Sequence, residues 1–160
     1  MKVVSTVITV AAVLFLAGFA ATGKDHNSHV VTQLQDATWA PAPPMLPAGA
    51  QIAVLAGDPT KSGPFTIRLK FPANYMIPAH SHPTDENVVM VTGAVTFGMG
   101  DKLNKNSALN KTLTVGGYAL MPANVNHFAY TTQESTIVLF GQGPVEFKYV
   151  NPSDDPRNKK

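Results

Sequence analysis

Residues 80–93 read "HSHPTDENVVMVTG". In an extended strand, residues i and i+2 point to the same side, about 7 Å apart along the backbone. His80 and His82 therefore project from one face, near enough for both rings to reach one ion. Pro83-Thr84-Asp85 interrupts the strand, so Glu86 enters from the start of the next one. His127, in "MPANVNHF", follows 41 residues after Glu86 and offers a fourth ligand from an opposing strand. With five His in the chain, His-x-His-x3-Glu should arise by chance only about 0.003 times. Imidazole plus carboxylate suits Fe(II), Mn(II), Co(II), Ni(II), Cu(II) or Zn(II).

Outward from this stretch the chain reads as short strands with turn punctuation. "QIAVLA" (51–56) is followed by the turn "GDPTKSG" and by "PFTIRLKF" (64–71). There Phe65, Ile67, Leu69 and Phe71 alternate with Thr66, Arg68 and Lys70. "NVVMVTG" (87–93) and "AVTFGMG" (94–100) are expected to form a hairpin about Gly93. "TLTV" (112–115) and "YALMP" (118–122) are expected to form another about Gly116-Gly117. "NHFAYT" (126–131), "STIVLFG" (135–141) and "VEFKYV" (145–150) complete the set, and the polar "GDKLNKNSALNK" (100–111) is a loop. Nine or ten short strands without a long amphipathic helix predict an all-β antiparallel sandwich or small barrel.

The 160 residues suffice for one domain with a real core. A formal net charge of +2 lacks the basic stripe of a nucleic-acid binder, so no nucleic-acid partner is expected. The chain has no cysteine, which excludes disulfides and thiolate ligands. Residues 1–20 have one lysine, an apolar run and a small-x-small end at Gly18 and Ala20, the layout of a secretory signal peptide cleaved after Ala20. An uncleaved anchor is the alternative, because Val3 to Ala21 approaches spanning length; Thr6, Thr9 and Gly18 weigh against it. The expected product is exported, periplasmic or secreted, and without a membrane partner once the signal is removed. Residues 21–37 read as a flexible lead, in which His26 and His29 could trap a stray ion but belong more simply to an exposed polar segment. Residues 38–150 are the folded domain. It opens on "WAPAPPMLPAGA" (39–50), a proline-rich strap expected across the outside of the fold and pinned by Trp39. Residues 151–160 are an exposed tail.

The motifs resemble those of the cupin superfamily. The first cupin motif, G-x5-H-x-H-x3,4-E-x6-G, matches from 74 to 93 through His80, His82, Glu86 and Gly93. The second, G-x5-P-x-G-x2-H-x3-N, matches through Gly116, Pro122 and His127. The resemblance spans roughly residues 40–150 and is strongest to small exported single-domain bacterial cupins. More distantly, the chain is similar to acetylacetone-cleaving dioxygenases and to the cupin domain of a zinc anti-sigma factor. Asn74 and Asn124 replace motif glycines, both within a repeated "PAN"; Asn is one of the few other residues that tolerate φ > 0, so the turns should survive. Thr131 replaces the motif asparagine at a position that is not a ligand in the family. The resemblance implies a double-stranded β-helix, or jelly-roll barrel, with a metal held by His80, His82, Glu86 and His127. Because cupins commonly self-associate, it also implies a homodimer.

These ligands leave one or two coordination positions open on a single divalent ion, with Fe2+, Mn2+ and Zn2+ foremost. One reading is an oxygenase- or isomerase-type enzyme that chelates a small oxygen-containing molecule in the barrel, with Glu86 as ligand and catalytic proton acceptor. The others are a non-catalytic binding or sensing module, and a scaffold that the metal stabilises. Met90, Met99, Phe97, Phe128 and Tyr130 are core by spacing, or else line the cavity. Met90 has the best claim, since it shares parity with Glu86. Gln142 and Glu146 could support a ligand by a hydrogen bond, though an outward position suits them better.

Overall fold

The structure is a computed structural model that describes residues 29–159. The expected signal peptide and His26 lie outside these residues. Among the described residues no helix is long and apolar enough to cross a membrane. Among the described residues eleven strands run in chain order: β1 Ala40–Pro41, β2 Gln51–Ala56, β3 Gly63–Phe71, β4 Met76–Ser81, β5 Glu86–Thr92, β6 Ala94–Met99, β7 Lys111–Thr114, β8 Tyr118–Met121, β9 His127–Thr131, β10 Ser135–Gly143 and β11 Lys148–Tyr149. They form two antiparallel sheets, ordered β1-β2-β3-β10-β5-β8 and β11-β4-β9-β6-β7. This is the jelly-roll barrel that the motif resemblance implied.

The alternation read in β3 builds one wall of the core. Phe65, Ile67, Leu69 and Phe71 are buried in one cluster with Ile137 and Leu139 of β10 and Val88 and Met90 of β5 on the same sheet, and with Val95 and Ala129 of the second sheet. At about 1.5–3 kcal/mol for each large apolar side chain buried, this cluster is the main source of stability.

Both expected hairpins are absent. β5 pairs with β10 and β8, while β6 pairs with β9 and β7, so the chain leaves one sheet at Gly93 and enters the other. The same happens at Gly116-Gly117, between β7 and β8. A glycine turn between two alternating strands looks the same whether the strands pair with each other or with more distant ones. The long-range partners decide. Of the expected strand 145–150, only Lys148–Tyr149 pairs, because the Val145 N–H donates to the Pro59 carbonyl at 2.8 Å instead of joining a ladder.

Gly93 marks one of these corners, at φ +76°, and a Cβ there would run into the Glu134 carbonyl and Ser135. Ser135 is fully buried, and its hydroxyl accepts from Ala94 N at 3.1 Å, so it cannot retreat. Gly93→Ala should therefore lose about 2–4 kcal/mol, combining left-handed backbone strain with overpacking. Urea denaturation measures the loss, and an unchanged midpoint would refute the role given to this corner.

The proline strap does more than cross the outside. Trp39 is half-buried with Lys70 Nζ 4.6 Å above its ring, as a pin would be. Farther on, however, Leu46 and Ala50 enter the core. Tyr75 Oη donates to the Pro47 carbonyl, and Tyr149 Oη donates to the Met45 carbonyl at 2.7 Å. The strap thus closes one mouth of the barrel, because its prolines leave carbonyls free to accept from buried Tyr75 and half-buried Tyr149. Of the lead, residues 34–36 form a single 3-10 turn, and Arg68 Nη1 donates to the Gln33 carbonyl at 2.9 Å. The tail is exposed at 151–153 and 157–159 but half-buried at 154–156. Arg157, paired with Asp155, donates to the Phe147 carbonyl at 2.9 Å and draws the tail back onto the domain.

Candidate metal centre

The His-x-His pair sits at the end of β4, and His127 opens β9. The register sets His80 directly opposite His127. Two turns hold that register. Asn74 and Asn124, the two "PAN" asparagines, both have φ +60°, the conformation that replaced the motif glycines. At one end of the β4–β9 pair, Asn124 N donates to the His82 carbonyl at 2.7 Å. At the other, the Thr131 hydroxyl donates to the Pro72 carbonyl at 2.8 Å and accepts from Tyr75 N at 3.0 Å. Thr131, which stands where the second motif has asparagine, is thus a buried clasp.

His80, His82 and His127 are 3%, 2% and 2% exposed, and they present ligand atoms that all lie within 4.8 Å of one another. Glu86 comes from the opposite sheet, at the start of β5, with Oε2 3.2 Å from His82 Nε2. The structure therefore brings together all four expected residues, but only the three histidines fall within one 4.8 Å group.

The histidine tautomers are set by backbone carbonyls. Nδ1–H of His80 donates to Pro78 at 2.7 Å, that of His82 to Glu146 at 2.7 Å, and that of His127 to Val125 at 3.0 Å. A carbonyl only accepts, so each Nδ1 carries the proton and each neutral ring keeps its Nε2 lone pair for the centre. Burial drives the His80 pKa well below its usual value, helped by His127 and His82 and opposed by the Pro78 carbonyl. Burial also lowers His127, against the pull of the Val125 carbonyl and Glu86. At His82 burial acts the same way, but the attraction of the Glu86 carboxylate 3.2 Å away, with the Glu146 carbonyl, outweighs it and leaves the pKa raised.

Two buried polar atoms here lack a hydrogen-bond partner, His82 Nε2 and Glu86 Oε1. The 3.2 Å between His82 Nε2 and Glu86 Oε2 has the length of an ion pair without the alignment of a hydrogen bond. Lone pairs so close in a dry site repel unless a cation lies between them. An unsatisfied buried polar group costs about 1–3 kcal/mol, and a divalent ion ligated by these atoms removes that penalty. The residues present fit a divalent metal.

Phe147 stacks on His80 with centroids 4.6 Å apart and meets His82 edge-on at 4.5 Å. Tyr149, opposite His80 in the β4–β11 ladder, lies 5.8 Å from the same ring. Sequence reasoning missed both, because nothing local to 145–150 signals a return to β4. The support considered at Glu146 is real but comes from its carbonyl, while its side chain is exposed. Gln142 is exposed, and its carbonyl accepts from the Thr84 hydroxyl at 3.0 Å. Asp85 Oδ1 accepts from Ala123 N at 2.7 Å, tying the two site-bearing turns together. Met90 faces inward, as its parity with Glu86 requires, but it packs in the core and lines neither cavity beside Glu86. Phe97 does line one. Phe128 is buried core, Met99 is exposed, and half-buried Tyr130 lies under Lys105.

Comparison with known proteins gives a consistent result. The family profile described as the ChrR cupin-like domain matches residues 27–146. Among curated proteins, none matches in sequence. The polyketide cyclase RemF of Streptomyces resistomycificus has the same fold, with a TM-score of 0.65 and 14% identity over 81% of this chain and 90% of that one. A candidate acetylacetone dioxygenase of Methylibium petroleiphilum gives 0.60 and 21%, over 81% and 85%. The anti-sigma factor ChrR of Rhodobacter sphaeroides, solved in complex with SigE, gives 0.50 and 15%, over 68% and 51%. At these identities the likeness is one of fold.

Proposed function

This chain belongs to the ChrR cupin-like family, and on that premise we propose that it is a metal-dependent enzyme of oxygenase or isomerase type. Its substrate is a small oxygen-containing organic molecule that enters the barrel. The observation that carries this reading is the convergence of three carbonyl-oriented histidines beside a buried carboxylate with one oxygen unpartnered.

His80, His82 and His127 hold one divalent ion, Fe2+, Mn2+ or Zn2+, and Glu86 completes the set from the facing sheet. When bound, the ion supplies Lewis acidity toward a substrate oxygen and, where it is redox-active, a one-electron partner. Glu86 accepts a proton from the substrate on its buried carboxylate. The three backbone carbonyls keep the imidazoles in the ligating tautomer. Phe147, Leu46 and Leu139 wall the site against water. Beyond the ligands, the described residues lining the two cavities at Glu86 contribute no further acid or base, which favours oxidation or isomerisation over hydrolysis. The likeness to a polyketide cyclase and to a candidate acetylacetone dioxygenase supports catalysis on such a fold.

A sensing role is the second reading, favoured by the likeness to ChrR, half of whose length this chain spans. Chelation separates the readings. The enzyme reading expects a metal-free protein that stays folded by circular dichroism and regains substrate-dependent O2 uptake or isomerisation with Fe2+. Restored binding without turnover would favour the sensor. Unfolding on chelation would instead make the metal a structural staple. Export is part of the same proposal and rests on the first twenty residues. The protein recovered outside the cytoplasm should begin at Ala21 by intact mass, and retention of Met1 would reject cleavage.

A further inference from the structure

Two cavities meet at Glu86. The smaller, about 30 Å³, opens against His80, His127 and Glu86. The larger, about 60 Å³, lies between the proline strap, β3, β10 and the 59–60 turn. They share Leu46, Leu69, Glu86, Leu139 and Phe147, so they form one bent chamber with the carboxylate at its elbow. The larger lobe has room for about four to six water-sized groups at 10–15 Å³ each.

Both lobes have largely apolar walls, and the smaller differs in that His80 and His127 join Glu86 there. In the larger, the side chains besides Glu86 are Pro, Met, Leu, Ile, Val and Phe, with Thr60 alone carrying a hydroxyl. Among the described residues no lysine, arginine, histidine, asparagine or glutamine lines it. A ligand hydroxyl placed there would give up its water without finding a partner, whereas a methyl group would be at home.

Resting on the metal reading above, we infer that the site selects small molecules by an alkyl body. The oxygens of the ligand face the histidines, and everything beyond them is hydrocarbon packed against Ile52, Ile67, Leu139 and Val145. Sugars, polyols and sugar acids are thereby rejected at the second lobe, whichever oxygen group faces the metal.

The test uses the Co2+-loaded protein, whose visible absorption reports a ligand entering the coordination sphere without requiring turnover. Two pairs of probes each keep one chelating group and exchange methyl for hydroxymethyl or hydroxyl character. These are acetoin against dihydroxyacetone, which are α-hydroxyketones with equal numbers of non-hydrogen atoms, and lactate against glycerate, which are α-hydroxyacids. The alkyl member of at least one pair should bind at least about tenfold more tightly, within the range over which an apolar pocket rejects an added hydroxyl. Val145→Thr places a hydroxyl in the larger lobe at a half-buried position of nearly equal volume, and it should shrink that preference severalfold. Equal or reversed affinities within both pairs overturn the inference, as does a preference that Val145→Thr leaves unchanged. If Co2+ loads stoichiometrically and none of the four probes perturbs its spectrum, the inference falls while the metal reading stands. If Co2+ does not load, the metal reading fails and takes the inference with it.

Discussion

His127→Ala should strip the protein of its ion, lowering metal affinity by more than about 100-fold, beyond what loss of a supporting partner costs. His127 is the only one of the three grouped histidines not carried by the β4 segment. Without it, His80 and His82 face the gap from one side and Glu86 from the opposite sheet. The substitution also empties volume at a residue only 2% exposed, so some stability will be lost for reasons unrelated to metal. Val95→Ala provides the control, since Val95 is equally buried in the core and holds no ligand atom. Metal content after dialysis against buffered free ion decides the matter. The control should unfold more easily yet load fully, whereas His127→Ala should stay largely empty. Full loading of His127→Ala would sink the proposed ligand set.

Glu86→Gln should separate holding the ion from using it. Glutamine keeps the shape of the side chain and one carbonyl oxygen, but it removes the charge beside His82 and the group that accepts a proton. Because the three histidines remain grouped, affinity should fall by no more than about tenfold to 100-fold, the scale of losing a supporting interaction. Turnover should fall by at least about 100-fold, the lower end of what a positioned general base contributes. Parallel titrations of metal binding and of substrate-dependent O2 uptake measure the split. Wild-type turnover in a fully loaded Glu86→Gln protein would remove Glu86 from the chemistry. Loss of metal to the same degree as His127→Ala would make it an obligatory ligand.

Much of this centre is legible in the chain, because strand parity is a local property. His80 and His82 share a face since they are two residues apart, and Glu86 shares one with Val88 and Met90 for the same reason. Asn74 and Asn124 announce their left-handed turns by their own side-chain chemistry. Gly93 likewise marks a corner, though the chain does not say which sheet the next strand joins. The two expected hairpins failed on that point. Each strand's alternation fits several partners, and the choice is made by how the whole barrel closes.

The strap shows the same division. Proline spacing in 39–50 forbids a helix or a central strand, and that much is intrinsic to the residues. Closing the barrel mouth with Leu46 needs Tyr75 and Tyr149, residues 28 and 104 positions away from the carbonyls they hold. Phe147 against His80, and the Glu146 carbonyl that orients His82, likewise depend on contacts across the fold. By itself, then, the sequence determined the strand periodicity, the ligand types, the turn conformations and the absence of thiols, each a consequence of covalent structure over a few neighbours. Only the tertiary structure decided the sheet partners, the histidine tautomers, the chamber behind Glu86 and the strap that covers it, because those depend on backbone carbonyls and apolar walls that distant segments bring together.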